Sequence, residues 1–127
     1  MCGIAGGLWH TAPRNVSLKI ERALHHLRLR GPDDDGRLLE PLNADGGLMA
    51  LLHKRLSVID LSAGGHQPKS SHNGHYSLVF NGEIVNYREL RDTLRALGCE
   101  FTTESDTEVL LWAWERWGIS ALDKLVG

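Results

Sequence analysis

Apolar residues occur along this chain in short runs and in stripes at helical spacing. Residues 2–9 form an apolar run rich in glycine, which predicts a buried strand with close backbone contacts. From Ser17 a helical stripe is made by Ile20, Ala23, Leu24 and Leu27. This predicted helix ends at the tripeptide Arg30-Gly31-Pro32, because proline cannot continue a helix.

The middle of the chain favours strands. Residues 47–61 are dominated by Leu, Met, Val and Ile with polar interruptions, which indicates one or two strands. Residues 76–80 and 83–85 flank the dipeptide Asn81-Gly82. A type I′ turn needs two residues that accept positive φ, and Asn-Gly is its preferred sequence. The pattern therefore predicts a β-hairpin around Asn81-Gly82.

A helix with a capping box is predicted after this hairpin. Asn86 can cap its N-terminus, Glu89 three residues later completes the box, and Gly98 ends the helix. Its apolar face consists of Leu90, Leu94 and Leu97. A short strand is expected next, over residues 99–102.

A second capping box, Ser105 with Glu108, predicts the following helix, which ends at Gly118. Its apolar stripe consists of Val109, Leu110, Ala113, Trp114 and Trp117. A last short helix is expected over residues 120–125. Strands at the start and middle, with helices between and after them, indicate an α+β structure in which sheet layers are covered by helices.

Composition restricts the class of protein. The 127 residues suit one domain, and 14 Lys+Arg against 16 Asp+Glu give a formal charge of −2. This near-neutral balance disfavours nucleic acid and membrane surfaces as partners, and no apolar stretch approaches the ~20 residues of a membrane span. Without a signal-peptide pattern, the expected location is the cytoplasm. Two cysteines are too few for a disulfide scaffold.

The thiol of Cys2 directly follows the initiator methionine. Cysteine is small enough that methionine aminopeptidase is expected to remove Met1, which leaves the thiol and a free α-amine on one residue. That amine has an ordinary pKa of about 7.7–8.0, against ~10.4 for lysine, so part of it is neutral and can accept the thiol proton. Nucleophile and base would then belong to Cys2 alone. The alternative is an ordinary small buried cysteine in a first strand.

Five separate motifs occur in order along the chain. They are MCGIAGGLW at 1–9, LRGPDDDG at 29–36, RLSVID at 55–60, NGEIVNYREL at 81–90 and SDTEVLL at 105–111. In order and approximate spacing they resemble the glutaminase domain of asparagine synthetase-type class II glutamine amidotransferases. RGPDD and NGEI favour the asparagine synthetase branch over the hexosamine-phosphate and purine-pathway branches.

The resemblance implies a fold and a reaction. The fold would be the αββα sandwich of the N-terminal-nucleophile (Ntn) hydrolases. In the reaction, Cys2 would attack the side-chain amide carbon of glutamine, ammonia would leave, and water would hydrolyse the γ-glutamyl thioester. Asn81, through its side-chain NH₂, and Gly82, through its backbone N–H, match the family's oxyanion-hole pair.

The resemblance also implies how the amino-acid end of glutamine is held. Arg55 matches the residue that binds the α-carboxylate, which suits a guanidinium because two parallel N–H bonds fix orientation. Asp106 matches the carboxylate that receives the α-ammonium. Glu83 and the backbone at Val58 and Ile59 match further contacts to the same end of the substrate.

Each assignment has a purely structural alternative. Asn81-Gly82 can be only a tight turn, and Arg55 only a surface arginine at a strand end. Asp106 in the first turn of a helix is favoured by the helix macrodipole at ~0.3–1 kcal/mol without any ligand. Arg30 with the pair Asp33-Asp34 matches a loop that supports the site, and the alternative is a solvated charge cluster.

Seven histidines raise the possibility of a metal site. His72 and His75 lie in a polar loop, and the adjacent His25 and His26 face different sides of a helix, so no group has convincing ligand spacing. No functional metal is therefore expected. The tryptophans Trp112, Trp114 and Trp117 fit the core and surface of an amphipathic helix better than a stacking platform.

Three positions depart from the family pattern. Leu29 stands where histidine is usual before RGPD, Val85 where tyrosine is usual after NGEI, and Lys69 follows GHQP where an apolar residue is common. None of them removes an assigned catalytic group. The usual histidine and tyrosine shape the wall of the pocket, so these departures bear on glutamine affinity.

The resemblance places residues 1–127 in the N-terminal part of a glutaminase domain. In the family a synthetase domain follows, whose Ser-Gly-Gly-Leu-Asp-Ser loop binds pyrophosphate, and this loop has no counterpart here. ATP and Mg²⁺ are expected only in that domain, with no cofactor in this chain. The expected partners are glutamine, an ATP-dependent synthetase domain or subunit, and a second copy paired through exposed sheet edges. The alternative is a non-catalytic, truncated or degenerate module that binds glutamine or a partner subunit.

Overall fold

A computed structural model describes residues 1–127 and shows an α+β arrangement of strands and helices. The elements in chain order are β1 (Gly3–Trp9), α1 (Val16–Leu27), β2 (Asp34–Pro41), β3 (Leu48–Arg55), β4 (Lys69–Ser70), β5 (Ser77–Leu78), α2 (Tyr87–Ala96) and α3 (Asp106–Trp117), with 3₁₀ turns at Ala63–Gly65 and Gly118–Lys124. None of the helices has the length and apolar character needed to cross a membrane.

The chain divides into two compact units. The first consists of Met1–Ser57, His66–Pro68 and Val79–Asn81. The second consists of Val58–Gly65, Lys69–Leu78 and Gly82–Gly127. The predicted site residues are distributed over both: Cys2, Arg55 and Asn81 belong to the first unit, and Val58, Ile59, Gly82, Glu83 and Asp106 to the second.

The first unit is built around an antiparallel sheet of order β1-β3-β2. Ile20 and Leu24 of α1 are buried against Ala50 and Leu52 of the central strand β3, which forms the core of this unit. The strand predicted over residues 2–9 and the first predicted helix are confirmed, and residues 47–61 contain a single strand. In the register, Gly3 lies opposite Lys54 and Asp34 lies opposite Arg55.

Strand β2 was not predicted from the sequence. Its first residues, Asp34, Asp35 and Gly36, are charged or lack a side chain, and such residues are rare in strand interiors. β2 lies at one edge of the sheet, where charged side chains can reach water. Pairing with the apolar strand β3 therefore determines its conformation, rather than its own propensity.

The second unit consists of a two-stranded pair, β4 with β5, and the packed helices α2 and α3. Leu94 of α2 and Val109 and Ala113 of α3 are completely buried. Gly98 and Gly118 follow the two helices with positive φ of 84° and 55°, so the predicted helix ends are confirmed. The expected helix over 120–125 is a 3₁₀ turn, Gly118–Lys124.

The predicted hairpin around Asn81-Gly82 is wrong. β5 pairs with β4 instead, and neither Asn81 nor Gly82 has the positive φ that a type I′ turn requires. Residues 99–102 likewise form no strand. In a hairpin the backbone of residues 83–85 would pair with the strand before Asn81. Instead, the N–H of Val85 donates to the carbonyl oxygen of Val126 at 2.7 Å.

The two capping boxes are confirmed only in part. The side chain of Asn86 makes no cap; it donates to the carbonyl oxygen of Lys124 at 2.8 Å and accepts from the N–H of Val126 at 3.0 Å. Ser105 does cap α3, because its hydroxyl oxygen accepts from the N–H of Thr107 at 3.0 Å. Glu108, its predicted partner in the box, binds the preceding loop instead.

Candidate active site

The thiol of Cys2 lies beside the end of the central strand β3. Its sulfur accepts a hydrogen bond from the backbone N–H of Leu56 at 3.3 Å and lies 3.5 Å from the carbonyl oxygen of the same residue. Because Gly3 is paired with Lys54, the antiparallel register carries Cys2 to this position. The thiol is half-buried, and both backbone groups of Leu56 face its sulfur.

The loop between α1 and β2 contacts the backbone of Cys2 and the backbone at the end of β3. Arg30 donates from Nε to the carbonyl oxygen of Cys2 at 3.1 Å. Asp33 accepts from the N–H of Ser57 at 2.7 Å, and its own N–H donates to the carbonyl oxygen of Arg55 at 3.0 Å. Arg30 and Asp33 thus hold the backbone on either side of the thiol. This arrangement gives the predicted supporting loop definite contacts.

Arg55 is the last residue of β3 and is buried. Its alternative as a surface arginine therefore does not describe this structure. A buried guanidinium is stabilised by negatively charged or carbonyl partners, and a carboxylate satisfies it through two parallel hydrogen bonds. Asp34 lies opposite it in the β2–β3 register.

The segment that leads to Asn81 is fixed through Phe80. The N–H of Phe80 donates to Oε1 of Gln67 at 2.6 Å. The carbonyl oxygen of Phe80 lies 3.3 Å from Nε2 of His53, and since a carbonyl only accepts, Nε2 carries the proton. Asn81 itself is exposed, and no hydrogen bond joins it to Cys2.

His53 is buried at the centre of β3, with 1% of its surface exposed. Burial lowers the pKa of His53 from its ordinary value of 6.5, although the carbonyl oxygen of Phe80 and the charge of Asp34 partly oppose this effect. The ring is therefore neutral at neutral pH. Its Nδ1 atom is buried and has no hydrogen-bond partner.

In the second unit, Asp106 begins α3 and joins this helix to the segment that starts at Gly82. Its Oδ2 accepts from the N–H of Ile84 at 3.2 Å. Burial raises the pKa of the Asp106 carboxyl above 3.8, while N–H bonds from Ile84 and Thr107 act in the opposite direction. The loss of hydration thus outweighs the stabilisation that the helix N-terminus gives the charged carboxylate. A cationic ligand would favour the charged carboxylate at this position.

The loop before Asp106 is held by a second buried carboxylate. Glu108 accepts from the N–H and the hydroxyl of Thr102 and from the N–H and the hydroxyl of Thr103, at distances of 2.6–2.9 Å. Burial alone would raise the pKa of Glu108, but these four donors together lower it below 4.5. The start of α3, and with it Asp106, is thereby fixed by a charged group.

A buried arginine of α2 contacts the same loop. Arg91 donates to the carbonyl oxygen of Thr103 at 2.6 Å and to that of Ser105 at 3.1 Å. Its guanidinium carbon also lies 4.7 Å from the ring centroid of Phe101. Arg91 and Glu108 therefore bind the two kinds of backbone group that this irregular segment leaves open.

The remaining predicted site residues lie outside the helices and strands, and most of them are exposed. Val58 is exposed and Ile59 half-buried in an irregular segment, while Gly82 and Glu83 are exposed. Among the predicted site residues, Asp106 contacts the 82–84 segment, through the N–H of Ile84. The structure thus brings Cys2 to the backbone of Leu56 in the first unit and Asp106 to the backbone of Ile84 in the second. No group of three or more His, Cys, Asp or Glu side chains is placed to hold a metal ion.

Sequence reasoning missed His53 and Gln67. His53 was counted only as a polar interruption of an apolar strand, and Gln67 belongs to the quoted GHQP segment, of which only the following lysine was considered. A neutral polar residue inside an otherwise apolar strand was the available signal, because such a residue needs a hydrogen-bond partner.

Comparison with known proteins gives the class. A family model described as "Glutamine amidotransferase domain" matches residues 1–127. The chain is 40% identical, over its whole length, to asparagine synthetase [glutamine-hydrolyzing] 1 of Bacillus subtilis and 38% identical to asparagine synthetase [glutamine-hydrolyzing] 3 of the same organism, and it covers 20% of each. It is also 31% identical to amidase chry2 of Gibberella zeae, again over its whole length and 20% of that protein.

The chain belongs to the glutamine amidotransferase domain family. It spans about a fifth of the length of the curated relatives it matches.

Proposed function

We propose that this domain hydrolyses the side-chain amide of glutamine through Cys2 and supplies the ammonia to an amide-forming synthetase. The observation that carries the proposal is the position of the Cys2 sulfur, which receives the N–H of Leu56 at the end of the central strand. The family membership of the whole chain supports the choice of substrate.

The first half of the reaction forms a thioester. Removal of Met1 frees the α-amine of Cys2, which accepts the thiol proton as the sulfur attacks the amide carbon. The carbonyl oxygen becomes an oxyanion, for which Asn81 and Gly82 are the proposed donors; loss of one such donor typically lowers the rate about 10²–10³-fold. The tetrahedral intermediate then collapses: the carbon–nitrogen bond breaks, and the amine returns the proton to the leaving ammonia.

The second half of the reaction releases glutamate. The α-amine of Cys2 accepts a proton from water, which attacks the thioester carbon and forms a second oxyanion. When the carbon–sulfur bond breaks, the sulfur leaves as a thiolate and recovers the proton from the amine. The products are glutamate and ammonia, and the enzyme returns to its starting state.

The amino-acid end of glutamine needs one positive and one negative partner. We assign Arg55 to the α-carboxylate and Asp106 to the α-ammonium, with further contacts from Glu83 and from the backbone at Val58 and Ile59. The burial that raises the pKa of Asp106 supports its assignment, because a bound ammonium compensates for the hydration that the carboxylate has lost.

The proposed architecture is the Ntn αββα sandwich, of which residues 1–127 form the N-terminal part. The antiparallel sheet β1-β3-β2 with α1 packed on one face corresponds to one helix layer and one sheet layer. The proposed partner is an ATP-dependent synthetase domain or subunit, and ATP and Mg²⁺ act there. The names of the relatives from Bacillus subtilis support this assignment.

A non-catalytic module that binds glutamine or a partner subunit is the second candidate. The departures Leu29 and Val85 favour it, because both side chains are largely exposed, at 84% and 68%. Turnover of glutamine by the isolated chain would exclude this candidate.

Covalent labelling tests the proposal. The chain is first weighed intact to establish that Met1 has been removed, and is then incubated with an electrophilic glutamine analogue. We expect one adduct, on Cys2, that excess glutamine prevents. The variant Cys2→Ala should lose the adduct, whereas Cys99→Ala, which changes the buried second cysteine, should keep it. A Met1-free chain that forms no adduct would overturn the proposal.

A further inference from the structure

The backbone of Phe80 is held on both of its polar groups by side chains distant in sequence. Gln67 accepts its N–H at 2.6 Å, and His53 donates to its carbonyl oxygen at 3.3 Å. That carbonyl belongs to the peptide that links Phe80 to Asn81. The two contacts, called the Phe80 clamp here, therefore fix the backbone at the point where Asn81 begins.

The clamp is anchored to the sheet on both sides. His53 lies in β3 directly opposite Gly36 of β2. At Gly36 a Cβ atom would overlap the carbonyl oxygen of Gln67, so the absence of a side chain lets the 66–68 segment pack on the strand. The neighbouring His66 contacts Asp34 of β2 at 2.7 Å between Nδ1 and Oδ2. The donor and the acceptor of the clamp are thus placed by one cross-strand pair.

Packing alone does not explain a histidine at position 53. Because side chains alternate along a strand, His53 lies on the opposite face of β3 from the core residues Ala50 and Leu52, between Leu51 and Arg55. His53 uses one nitrogen on Phe80 and leaves the other buried without a partner, which is unfavourable relative to a satisfied group. An apolar side chain would avoid this cost, so the donor to Phe80 is the feature that distinguishes histidine here.

We propose that His53 and Gln67 are positioning residues for Asn81: through the Phe80 clamp they hold the Asn81 amide where it can stabilise the oxyanion. This inference rests on the proposed glutaminase function. Neither residue touches the substrate. Their contribution acts on the transition state, because a displaced Asn81 weakens the bond to the developing oxyanion while the groups that bind the amino-acid end stay in place.

The first test measures the clamp itself and does not depend on activity. Amide hydrogen exchange at Phe80 is followed in the wild-type chain and in Gln67→Met, which keeps the length of the side chain but has no strong acceptor. We expect exchange about tenfold faster in the variant, the factor that one net hydrogen bond is worth. Equal exchange in both proteins overturns the clamp, whether or not the chain hydrolyses glutamine.

The second test follows glutamine hydrolysis by the Met1-free chain. His53→Phe should lower kcat about 10- to 100-fold with little change in KM, because an oxyanion donor is misplaced rather than removed. His53→Gln, whose amide nitrogen can take the place of Nε2, should restore most of the rate. His75→Phe, at an exposed loop histidine, is the matched control and should leave kcat unchanged.

A double variant separates positioning from general destabilisation. If His53 acts through Asn81, adding His53→Phe to Asn81→Ala should lower kcat no further. Additive losses, or a His53→Phe variant with unchanged kcat, would overturn the positioning role. A wild-type chain without glutaminase activity counts against the proposed function, and the exchange measurement still decides the clamp.

Discussion

The loop that leads into α3 allows a quantitative prediction for Glu108→Gln. The carboxylate accepts four hydrogen bonds, from the N–H and hydroxyl groups of Thr102 and Thr103. Glutamine has the same shape, but its NH₂ group would face an N–H donor of one threonine. The hydroxyl of that threonine can rotate to accept, whereas the N–H cannot.

The variant therefore loses one backbone hydrogen bond to a charged acceptor and the charge that strengthens the others. Hydrogen bonds to charged groups contribute roughly 1.5–3 kcal/mol, so Glu108→Gln should lower the free energy of unfolding by about 2–3 kcal/mol near neutral pH. This is a large share of the roughly 5–15 kcal/mol by which small domains are stable. The exposed neighbour Glu104→Gln should change it by less than about 0.5 kcal/mol.

The pH dependence identifies the charge as the cause. Because the folded pKa of Glu108 lies below 4.5, the native state releases this proton more readily than the unfolded state. Its contribution is present above pH 4.5 and is lost as the pH falls through the folded pKa. Urea unfolding monitored by tryptophan fluorescence, from about pH 7 to about pH 3, should show the wild type approaching Glu108→Gln. A difference that stays constant over this range would refute the reasoning.

Three further variants probe the remaining contacts. Asp106→Asn should become more stable relative to the wild type as the pH rises above 3.8, because the raised folded pKa of Asp106 means that its ionisation opposes folding. Midpoints of urea unfolding measured over this pH range check the stability. In the labelling experiment, glutamine should no longer protect Cys2 of this variant. The wild type should lose stability as the pH falls below 6.5, because the unfolded state takes up the His53 proton before the folded state does. His53→Gln should abolish this loss. The same dependence of stability on pH in both proteins would contradict a neutral His53 ring. Gly36→Ala should lower the free energy of unfolding by about 1–3 kcal/mol because its methyl group overlaps the carbonyl oxygen of Gln67, with thermal unfolding as the measurement.

The sequence predicted the elements whose apolar pattern is complete. The helices α1, α2 and α3 and the strands β1 and β3 are all present in the structure, because burial of their apolar faces forms the cores. Of the apolar face predicted for α2, Leu90 and Leu94 are buried, whereas Leu97 lies beyond the end of the helix and is exposed. β2 was missed since its conformation comes from pairing with β3, and its own sequence begins with two charged residues and a glycine. Local patterns do not contain this information.

Local turn and capping preferences were less reliable. Asn81-Gly82 has the preferred sequence of a type I′ turn but not its dihedral angles, and the side chain of Asn86 binds the C-terminal segment instead of its own helix. The partners of Asn86 lie far away in sequence. A local preference of about 1 kcal/mol is overridden by such contacts.

The candidate site was predictable to the extent that it lies in contiguous motifs. The motifs named Cys2, Arg55, Asn81 and Asp106. The contacts among His53, Gln67 and Gly36 were not predicted, because these residues come from three separate segments that meet only in the folded sheet. Their relation depends on the strand register, which no single segment of the sequence determines.

The pairing of β1 with β3 has a consequence for the order of events during synthesis. The hydrogen bond between the Cys2 sulfur and Leu56 joins residues 54 positions apart, so the first strand has no partner until more than fifty residues have been made. During that interval β1 has no strand with which to pair. Removal of Met1 can therefore precede folding, and under the proposed function the α-amine of Cys2 would be free before the sheet closes around the sulfur.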